Sequence, residues 1–433
     1  MKKVAFYTLG CKVNQYESEA IKNIFVKDGY KEVDFNNVAD VYIVNTCTVT
    51  SLSDKKSRQM MRKAKKLNTD AILVVMGCYS QVASEEVEKI PEVDIVVGTN
   101  ERKSVLKHVK DLQQRKVKIN VVKDIMKTKQ FEEMELNSYQ EKTRAFVKIQ
   151  EGCNQYCSYC IIPYARGSVR SRKPENIISE VKRLGEQGFK EIVLTGIHIA
   201  SYGKDTNGPF LLELLKKVHE IDEIERIRLG SIEPTIITED FVQGIEEMEK
   251  LCPHFHISLQ SGCDETLMRM NRKYTTSEFK KVVSNLKNQI KDIAITTDIM
   301  VGFPGETDEE FKKTYDFLEE IEFSDMHIFK YSRRKGTPAA TYPNQVLPEV
   351  KEKRSKILNE LNNRAKIAFN KKYEGEILPV LLEQEVKNKK GYIEGMTPNH
   401  IKVMCKGNID LKGKIQKVNV LNSDVDYCYG IIV

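Results

Sequence analysis

The sequence predicts an α/β protein in three parts: an N-terminal parallel α/β sheet domain, a central partial (β/α)6 barrel and a small C-terminal antiparallel β-barrel. Over residues 1–100, short apolar runs alternate with amphipathic helical stretches, the pattern of βαβ units and a parallel sheet. A second alternating series starts near residue 145 and contains six strand candidates. Beyond residue 375 the pattern changes to short strands broken by Gly, Asn and Asp.

Along the chain, strand candidates at 4–9, 41–45, 71–76 and 94–97 accompany helices at about 15–27 and 52–67. Residues from about 101 to 140 are charged and weakly periodic, and read as a helix, a short strand at 117–122 and a linker. The second series places strands at 145–149, 191–195, 226–229, 254–260, 294–299 and 326–331, with helical patterns between them. Six strands and five helices exceed a small sheet and fit a partial barrel. A charged helix at 348–371 then leads to strands at 377–382, 391–394, 400–404, 412–420 and 427–433. The expected units are 1–112, a linker at 113–138, 139–371 and 372–433.

Hydrophobic residues make up 40% and charged residues 30%, enough apolar material for several cores. No stretch approaches the roughly 18 uncharged apolar residues of a membrane helix, so no membrane partner is expected. Met1 to Tyr7 runs into a strand pattern without the apolar region and cleavage site of a signal peptide, which predicts a cytoplasmic protein. Ten cysteines in a reducing compartment read as metal or catalytic ligands where they cluster, not as disulfides. Cys252, Cys263, Cys405 and Cys428 are scattered and read as small buried hydrophobes. The net charge of +7 fits a nucleic-acid partner without requiring one.

The sharpest motif is Cys153-Asn154-Gln155-Tyr156-Cys157-Ser158-Tyr159-Cys160, a C-x3-C-x2-C loop just after a predicted strand. Three thiolates this close can hold three irons of a 4Fe-4S cubane and leave the fourth open to a small chelating molecule. The alternative is a zinc site short of one ligand, but such sites come as paired C-x2-C units and no second pair is present. Cys11, Cys47 and Cys78 are distant in sequence, yet each follows a predicted parallel strand by one or two residues. Such strand ends converge on one crevice, where ligands bind. Gly10 and Gly77 allow sharp turns beside a bulky ligand. These three thiols could hold a second cubane; the alternative is three core cysteines.

The C-x3-C-x-aromatic-C loop on the first barrel strand resembles the radical S-adenosylmethionine superfamily over roughly residues 140–370. The resemblance implies that Cys153, Cys157 and Cys160 carry the cluster that cleaves S-adenosylmethionine to a 5′-deoxyadenosyl radical, chemistry beyond any side-chain acid or base. It further implies that Gly196, in Thr195-Gly196-Ile197-His198, lies near the methionyl amino group, although this segment departs from the usual Gly-Gly-Glu. Glu233, Gln260 and Ser261 fall past strand ends, and Gly302 and Glu306 lie in a segment resembling the one that packs on the adenine. Barrel active sites lie at those ends. These six residues are the expected cofactor contacts, each also open to an ordinary loop role.

Thr8-Leu9-Gly10-Cys11-Lys12-Val13-Asn14-Gln15-Tyr16-Glu17, Asn45-Thr46-Cys47-Thr48-Val49-Thr50 and Gly77-Cys78-Tyr79-Ser80-Gln81 resemble the methylthiotransferase family, as does the run from Cys160 to Arg172. The resemblance covers essentially the whole chain. It implies an auxiliary 4Fe-4S cluster on Cys11, Cys47 and Cys78 that holds the transferred sulfur. One S-adenosylmethionine methylates that sulfur, and a second yields the radical that activates the substrate C–H bond. Within the family, the chain looks like the bacterial branch that modifies N6-threonylcarbamoyladenosine at position 37 of tRNA. Other branches act on isopentenyladenosine, with glutamine–methionine in place of Lys12-Val13, or on a ribosomal-protein aspartate.

Partners implied by the resemblance are tRNA, through the anticodon loop of ANN-decoding species, and an electron donor such as flavodoxin or ferredoxin; a monomer is expected. Arg166, Arg170, Arg172 and Lys173 are the expected RNA-binding cluster, since cations beside the site can neutralise phosphates. Arg333, Arg334 and Lys335 could extend that surface, as could the basic helix after Cys47 unless it is simply a solvated face. The C-terminal barrel resembles the TRAM domain, an RNA-binding module. Its Tyr373, Tyr392 and Tyr427 are open to base stacking or to core packing.

Overall fold

The computed structural model describes residues 1–115, 117–134, 136 and 143–433. Six parallel strands form the N-terminal sheet: β1 (Lys3–Thr8), β2 (Lys31–Val33), β3 (Val41–Thr46), β4 (Ile72–Gly77), β5 (Ile95–Val96) and β6 (Ile119–Asn120), in the order β2-β1-β3-β4-β5-β6. Strand β3 is buried along its whole length because helices cover both faces. Alternate residues divide into two cores. Tyr42, Val44, Leu73 and Val75 pack with Met61 and Ala64 of α2 (Ser51–Leu67). Val41, Ile43, Val74 and Met76 pack with Ile21 and Phe25 of α1 (Lys12–Lys27) and with Val105 and Val109 of a later helix. The short helices α3 (Cys78–Val82) and α4 (Ser84–Glu88) follow β4, and α5 (Val105–Arg115) carries that Val105 pair.

The strand expected at 117–122 is β6, the sixth member of this sheet. Part of the expected linker at 113–138, including residues 116, 135, 137 and 138, lies outside the described residues. Its described part is packed: Met134 and Leu136 are buried in the barrel core, and Tyr16 Oη donates to the Met134 carbonyl at 3.0 Å.

The central region holds β7 (Arg144–Glu151), the short β8 (Arg170–Ser171), β9 (Glu191–Gly196), β10 (Arg226–Leu229), β11 (His254–His256), β12 (Ala294–Val301) and β13 (Asp325–Lys330). Two ladders, β10-β9-β7-β8 and β11-β12-β13, meet through single parallel bridges Ile227–Leu251 and Ile232–Ile257. Outside them run α6 (Ile162–Arg166), α7 (Pro174–Glu186), α8 (Leu211–His219), α9 (Glu239–Glu246), α10 (Asp264–Arg269), α11 (Thr276–Gln289), α12 (Asp308–Ile321) and α13 (Pro348–Lys371). Capping boxes at Thr275–Glu278 and Thr307–Glu310 fix the starts of α11 and α12. Among the described residues no ladder joins β7 to β13, so the barrel is partial. The N-terminal domain touches both flanks of the opening. Lys148 on β7 pairs with Glu17 at 2.9 Å, and Arg334, past β13, pairs with Asp54 at 2.6 Å.

The C-terminal strands β14 (Ile377–Glu385), β15 (Tyr392–Met396), β16 (Lys402–Lys406), β17 (Ile415–Ser423) and β18 (Cys428–Ile432) close in the order β14-β15-β16-β18-β17. Four of the five pairs are antiparallel, as expected, and the pair β16–β18 is parallel. A ring with an odd number of strands cannot alternate throughout, so one pair must run in the same direction. This barrel docks on the N-terminal ends of the central strands. Arg226 donates to the Met396 and Pro379 carbonyls at 3.1 and 3.0 Å, and Arg228 to those of Pro398 and Thr397 at 2.9 and 3.1 Å. His400 stacks on His254 at 4.1 Å. Cys252, Cys263, Cys405 and Cys428 are buried. No described helix is long and apolar enough to cross a membrane.

Candidate active site

Strands β1, β3 and β4 are neighbours with Thr8 opposite Asn45, Asn45 opposite Met76 and Thr46 opposite Gly77. Cys11, Cys47 and Cys78 therefore leave three adjacent strands at the same level, with strands about 4.8 Å apart. The loops are pressed together. Gly10 has φ +105°, and a Cβ there would lie 3.2 Å from Cys47 Sγ; a Cβ on Gly77, at φ +104°, would lie 2.6 Å from the Thr46 carbonyl. Asn14 ties the crevice, donating to the Leu9 and Thr46 carbonyls at 2.7 and 3.0 Å. Asn45 in turn donates to the Asn14 carbonyl at 2.9 Å.

The second trio sits on the loop leaving β7. Gly152 takes φ +76°, where a Cβ would collide with the Ser168 carbonyl, and Cys153 N–H donates to the Gly167 carbonyl at 3.0 Å. Cys160 N–H donates back to the Cys157 carbonyl at 2.9 Å, closing a tight turn between the two cysteines. Ser158 anchors the loop to the carbonyls of Met270 and Arg269 at 3.0 and 2.8 Å.

Each trio receives one buried guanidinium. Arg166 Nε donates to Cys78 Sγ at 3.2 Å, and Arg272 Nη1 to Cys157 Sγ at 3.2 Å. Burial pushes the thiols of Cys78 and Cys160 up to about 12 and that of Cys153 up to about 11. Left alone these groups are protonated at neutral pH; a cationic iron centre is what would hold three of them as thiolates. The donor set, three cysteines at each place with a guanidinium on one of their sulfurs, fits a 4Fe-4S cluster at either place.

Arg166 also binds the N-terminal domain, through Glu17 at 2.5 Å and Asn14 Oδ1 at 2.5 Å. Around Glu17 and Glu151 gather Arg102, Lys148 and Arg166, all essentially buried. Burial alone would raise the Glu17 carboxyl; Arg102, Arg166 and Lys148 outweigh it and bring the group down to about 2. This corrects the RNA expectation for three residues. Arg166 is 0% exposed, Arg170 lies buried against the carbonyls of Arg166 and Ser168, and Arg172 is held by Glu180 and Glu133 at 2.8 Å each. A guanidinium committed in this way offers nothing to a phosphate. Of the four, only Lys173 is exposed. Exposed cations near the cleft are Arg333 and Lys335, with Lys55 and Lys56 on α2.

The expected cofactor residues divide. Glu233 is met by Gln155 at 3.0 Å, His198 at 2.9 Å and Arg272 at 2.9 Å, directly behind the Cys157 loop. Gly196 lies against Gln150, which bonds the Glu151 and Gly152 carbonyls at 2.7 Å each and accepts from His198 N–H at 2.7 Å. Gln260, at φ +74°, opens onto a cavity of about 240 Å³. Ser261 instead is fully buried against Thr314 of α12, and Glu306 turns onto Arg354 at 2.7 Å and the Gly302 N–H at 2.5 Å. These contacts brace the barrel wall: Ser261 packs against α12, and Arg354 draws Glu306 toward α13. In the C-terminal barrel, Tyr373 is a core residue bonded to Asn399. Tyr392 and Tyr427 are half-buried, with Lys389 and Lys402 over their rings at 4.0 and 4.4 Å.

The cavity is lined by Thr50 from the Cys47 loop, by Tyr159 and Cys160, and by Gln260, Asp298 and Met300 from the barrel. Beside it a cleft of about 990 Å³ runs between Thr48, Tyr79 and Gln81 on one side and Ile161, Tyr164 and Arg333 on the other. Segments flanking both trios thus line the same openings. Within the barrel, Asp298 lies 3.3 Å from His256 and 3.4 Å from His327. Burial opposes its ionisation, but hydrogen bonds from both imidazoles hold it well below the usual carboxylate range.

Comparison with known proteins agrees with this architecture. Residues 147–318 match the model of the Radical SAM superfamily, and residues 3–98 that of Uncharacterized protein family UPF0004. Threonylcarbamoyladenosine tRNA methylthiotransferase MtaB of Bacillus subtilis is 44% identical, with 100% of this chain and 97% of that protein covered. Its namesake from Aquifex aeolicus is 41% identical over 96% and 99%. The tRNA-2-methylthio-N(6)-dimethylallyladenosine synthase of Clostridium tetani is 39% identical over 95% and 92%. Among solved structures, the radical S-adenosylmethionine methyltransferase TsrM of Kitasatospora setae shares the fold at 14% identity and a TM-score of 0.59, over 78% of this chain and 77% of that one. The chain belongs to the radical S-adenosylmethionine methylthiotransferase family.

Proposed function

We propose that this enzyme adds a methylthio group to C2 of N6-threonylcarbamoyladenosine at position 37 of tRNA, in the cytoplasm, using clusters on Cys11, Cys47, Cys78 and on Cys153, Cys157, Cys160. The observation that carries the reading is that segments flanking both thiol trios line one cavity and one cleft. Bound there, the two clusters supply the electron that cleaves S-adenosylmethionine and the sulfur that is transferred. The chain's own residues do the rest. Arg272 and Arg166 offset the cluster charge, Gln260 lines the space beside Cys160 for S-adenosylmethionine, and Glu233 holds Arg272 and Gln155 behind the Cys157 loop. Exposed Tyr164, Val49 and Phe329 give the entrance an apolar rim suited to an unstacked base. Arg333, Lys335 and Lys173 supply cations for the RNA backbone, and a flavodoxin- or ferredoxin-like donor supplies electrons to the monomer.

The Bacillus subtilis and Aquifex aeolicus relatives, 44% and 41% identical, are named for threonylcarbamoyladenosine; the Clostridium tetani relative, named for dimethylallyladenosine, keeps that nucleoside as the second reading. Mass spectrometry of tRNA nucleosides from a deletion strain separates them. Loss of 2-methylthio-N6-threonylcarbamoyladenosine is expected, and its persistence in a strain with no second such enzyme would overturn the substrate assignment. In purified protein, Cys157→Ala should abolish 5′-deoxyadenosine release. Cys47→Ala should retain that release and lose sulfur insertion.

A further inference from the structure

Three strands of the second barrel ladder bring two imidazoles and a carboxylate to one point. His256 ends β11 and stands opposite Thr296 of β12, while Asp298 of β12 stands opposite His327 of β13. Residues two apart on a strand share a face, so Thr296 and Asp298 set all four side chains on the same side of the sheet. That side is the lumen, because Asp298 lines the cavity of about 240 Å³ with Tyr159, Cys160, Gln260 and Met300.

The spacing within this group is that of metal ligands. His256 Nε2 lies 3.3 Å from Asp298 Oδ2, and His327 Nδ1 lies 3.4 Å from Asp298 Oδ1. Charge-assisted N–H···O bonds are shorter, about 2.7–2.9 Å. Donors held about 2.0–2.2 Å from a tetrahedral zinc stand about 3.3–3.6 Å from one another. One atom from each of the three residues lies within 4.8 Å of the other two. The His256 ring is fixed from behind: Thr296 Oγ1 lies 2.9 Å from its Nδ1, which leaves Nε2 facing Asp298. A partner on the far ring nitrogen is what orients a metal-bound histidine. Entry is open, since His327 is exposed and Asp298 and His256 are half-buried.

We propose that His256, Asp298 and His327 form a site for one divalent cation of the zinc class, separate from both cysteine trios. Two imidazoles and one carboxylate are a zinc donor set, and zinc outranks ferrous iron for such ligands. Three protein ligands leave a position open. Here that position faces the cavity beside Cys160, where the ion takes an oxygen atom of a bound molecule and polarises it as a Lewis acid. The site stands whichever nucleoside is the substrate.

The test uses zinc itself with anaerobically reconstituted wild type, Asp298→Asn and His327→Ala. Each protein keeps its clusters, is freed of loose metal on a chelating resin, and is titrated with zinc against a competing chelator. Elemental analysis counts zinc and iron, circular dichroism confirms the fold, and zinc K-edge absorption identifies the ligands. Wild type should bind about one zinc per chain with iron content unchanged, as a single three-ligand site requires. Its zinc should have nitrogen and oxygen neighbours at about 2.0–2.2 Å and no sulfur at about 2.3 Å. Both variants should bind zinc at least about 100-fold more weakly, beyond the roughly 10- to 100-fold lost when only an outer partner of a ligand is removed. Because His327 is exposed, its truncation removes a ligand without disturbing the core. Wild type that holds zinc no more tightly than His327→Ala or Asp298→Asn overturns the proposal. So does zinc bound through sulfur, which would put it on the cysteines.

Discussion

Replacing Glu17 with glutamine removes the charge at the centre of the seam between the N-terminal domain and the barrel. The carboxylate is completely buried and meets Arg102, Lys148 and Arg166. Held at about 2 in the folded protein against about 4.3 in an unfolded chain, it contributes about 3 kcal/mol at neutral pH. That agrees with the ~3–5 kcal/mol lost when one partner of a buried ion network is removed. At ~2–4 °C per kcal/mol for domains of this class, the apparent melting midpoint should fall by about 6–12 °C. The folded value lies below the unfolded one, so the stabilisation is full above about pH 4.3 and is lost as pH falls through about 2. The wild-type and Glu17→Gln midpoints should therefore converge in acid. Calorimetry of both proteins at pH 7 and in a series down to pH 3 reads this directly. A variant that melts within about a degree of wild type at pH 7 would show that the network contributes little, and that the domains are held by apolar contacts such as Tyr16 and Ala20 in the barrel core.

Arg272→Met should make the midpoint potential of the radical-site cluster more negative by about 50 mV, because a donor to Cys157 stabilises the reduced, more anionic form; potentiometric titration followed by electron paramagnetic resonance measures it, and an unchanged potential refutes the role. Gly77→Ala forces a side chain into a left-handed position against the Thr46 carbonyl and should displace Cys78. The expected result is loss of about half the bound iron with 5′-deoxyadenosine release retained; full iron content would count against the crowded crevice.

Much of this was legible in the sequence because periodicity reports burial. The strands ending at Thr8, Thr46 and Gly77 were visible as apolar runs, and their cysteines lie at one level because parallel strands in register end together. Strand β2 was not visible, since Lys31-Glu32-Val33 is a three-residue edge with no apolar pattern. The burial of the basic cluster is not legible, because a run of arginines reads as surface unless the facing carboxylates are known. Glu17 and Glu151 come from opposite sides of a domain seam. One sign was present: Glu17 shares an apolar helix stripe with Val13, Ala20 and Ile21, all buried. A carboxylate on such a stripe needs a buried cation, and Arg166 is one. Position after a strand, for Ser261, and resemblance to an adenine-packing segment, for Glu306, fix the level of a residue and not the side toward which its chain turns.

The most direct test of the account is iron stoichiometry by Mössbauer spectroscopy on anaerobically prepared protein, with the triple variant Cys11→Ala, Cys47→Ala, Cys78→Ala beside it. The account predicts two cubanes, about eight irons per wild-type chain and about four in the variant, from three-sulfur sites of this kind. A wild-type chain that binds only one cubane, or a variant that keeps both, would contradict it.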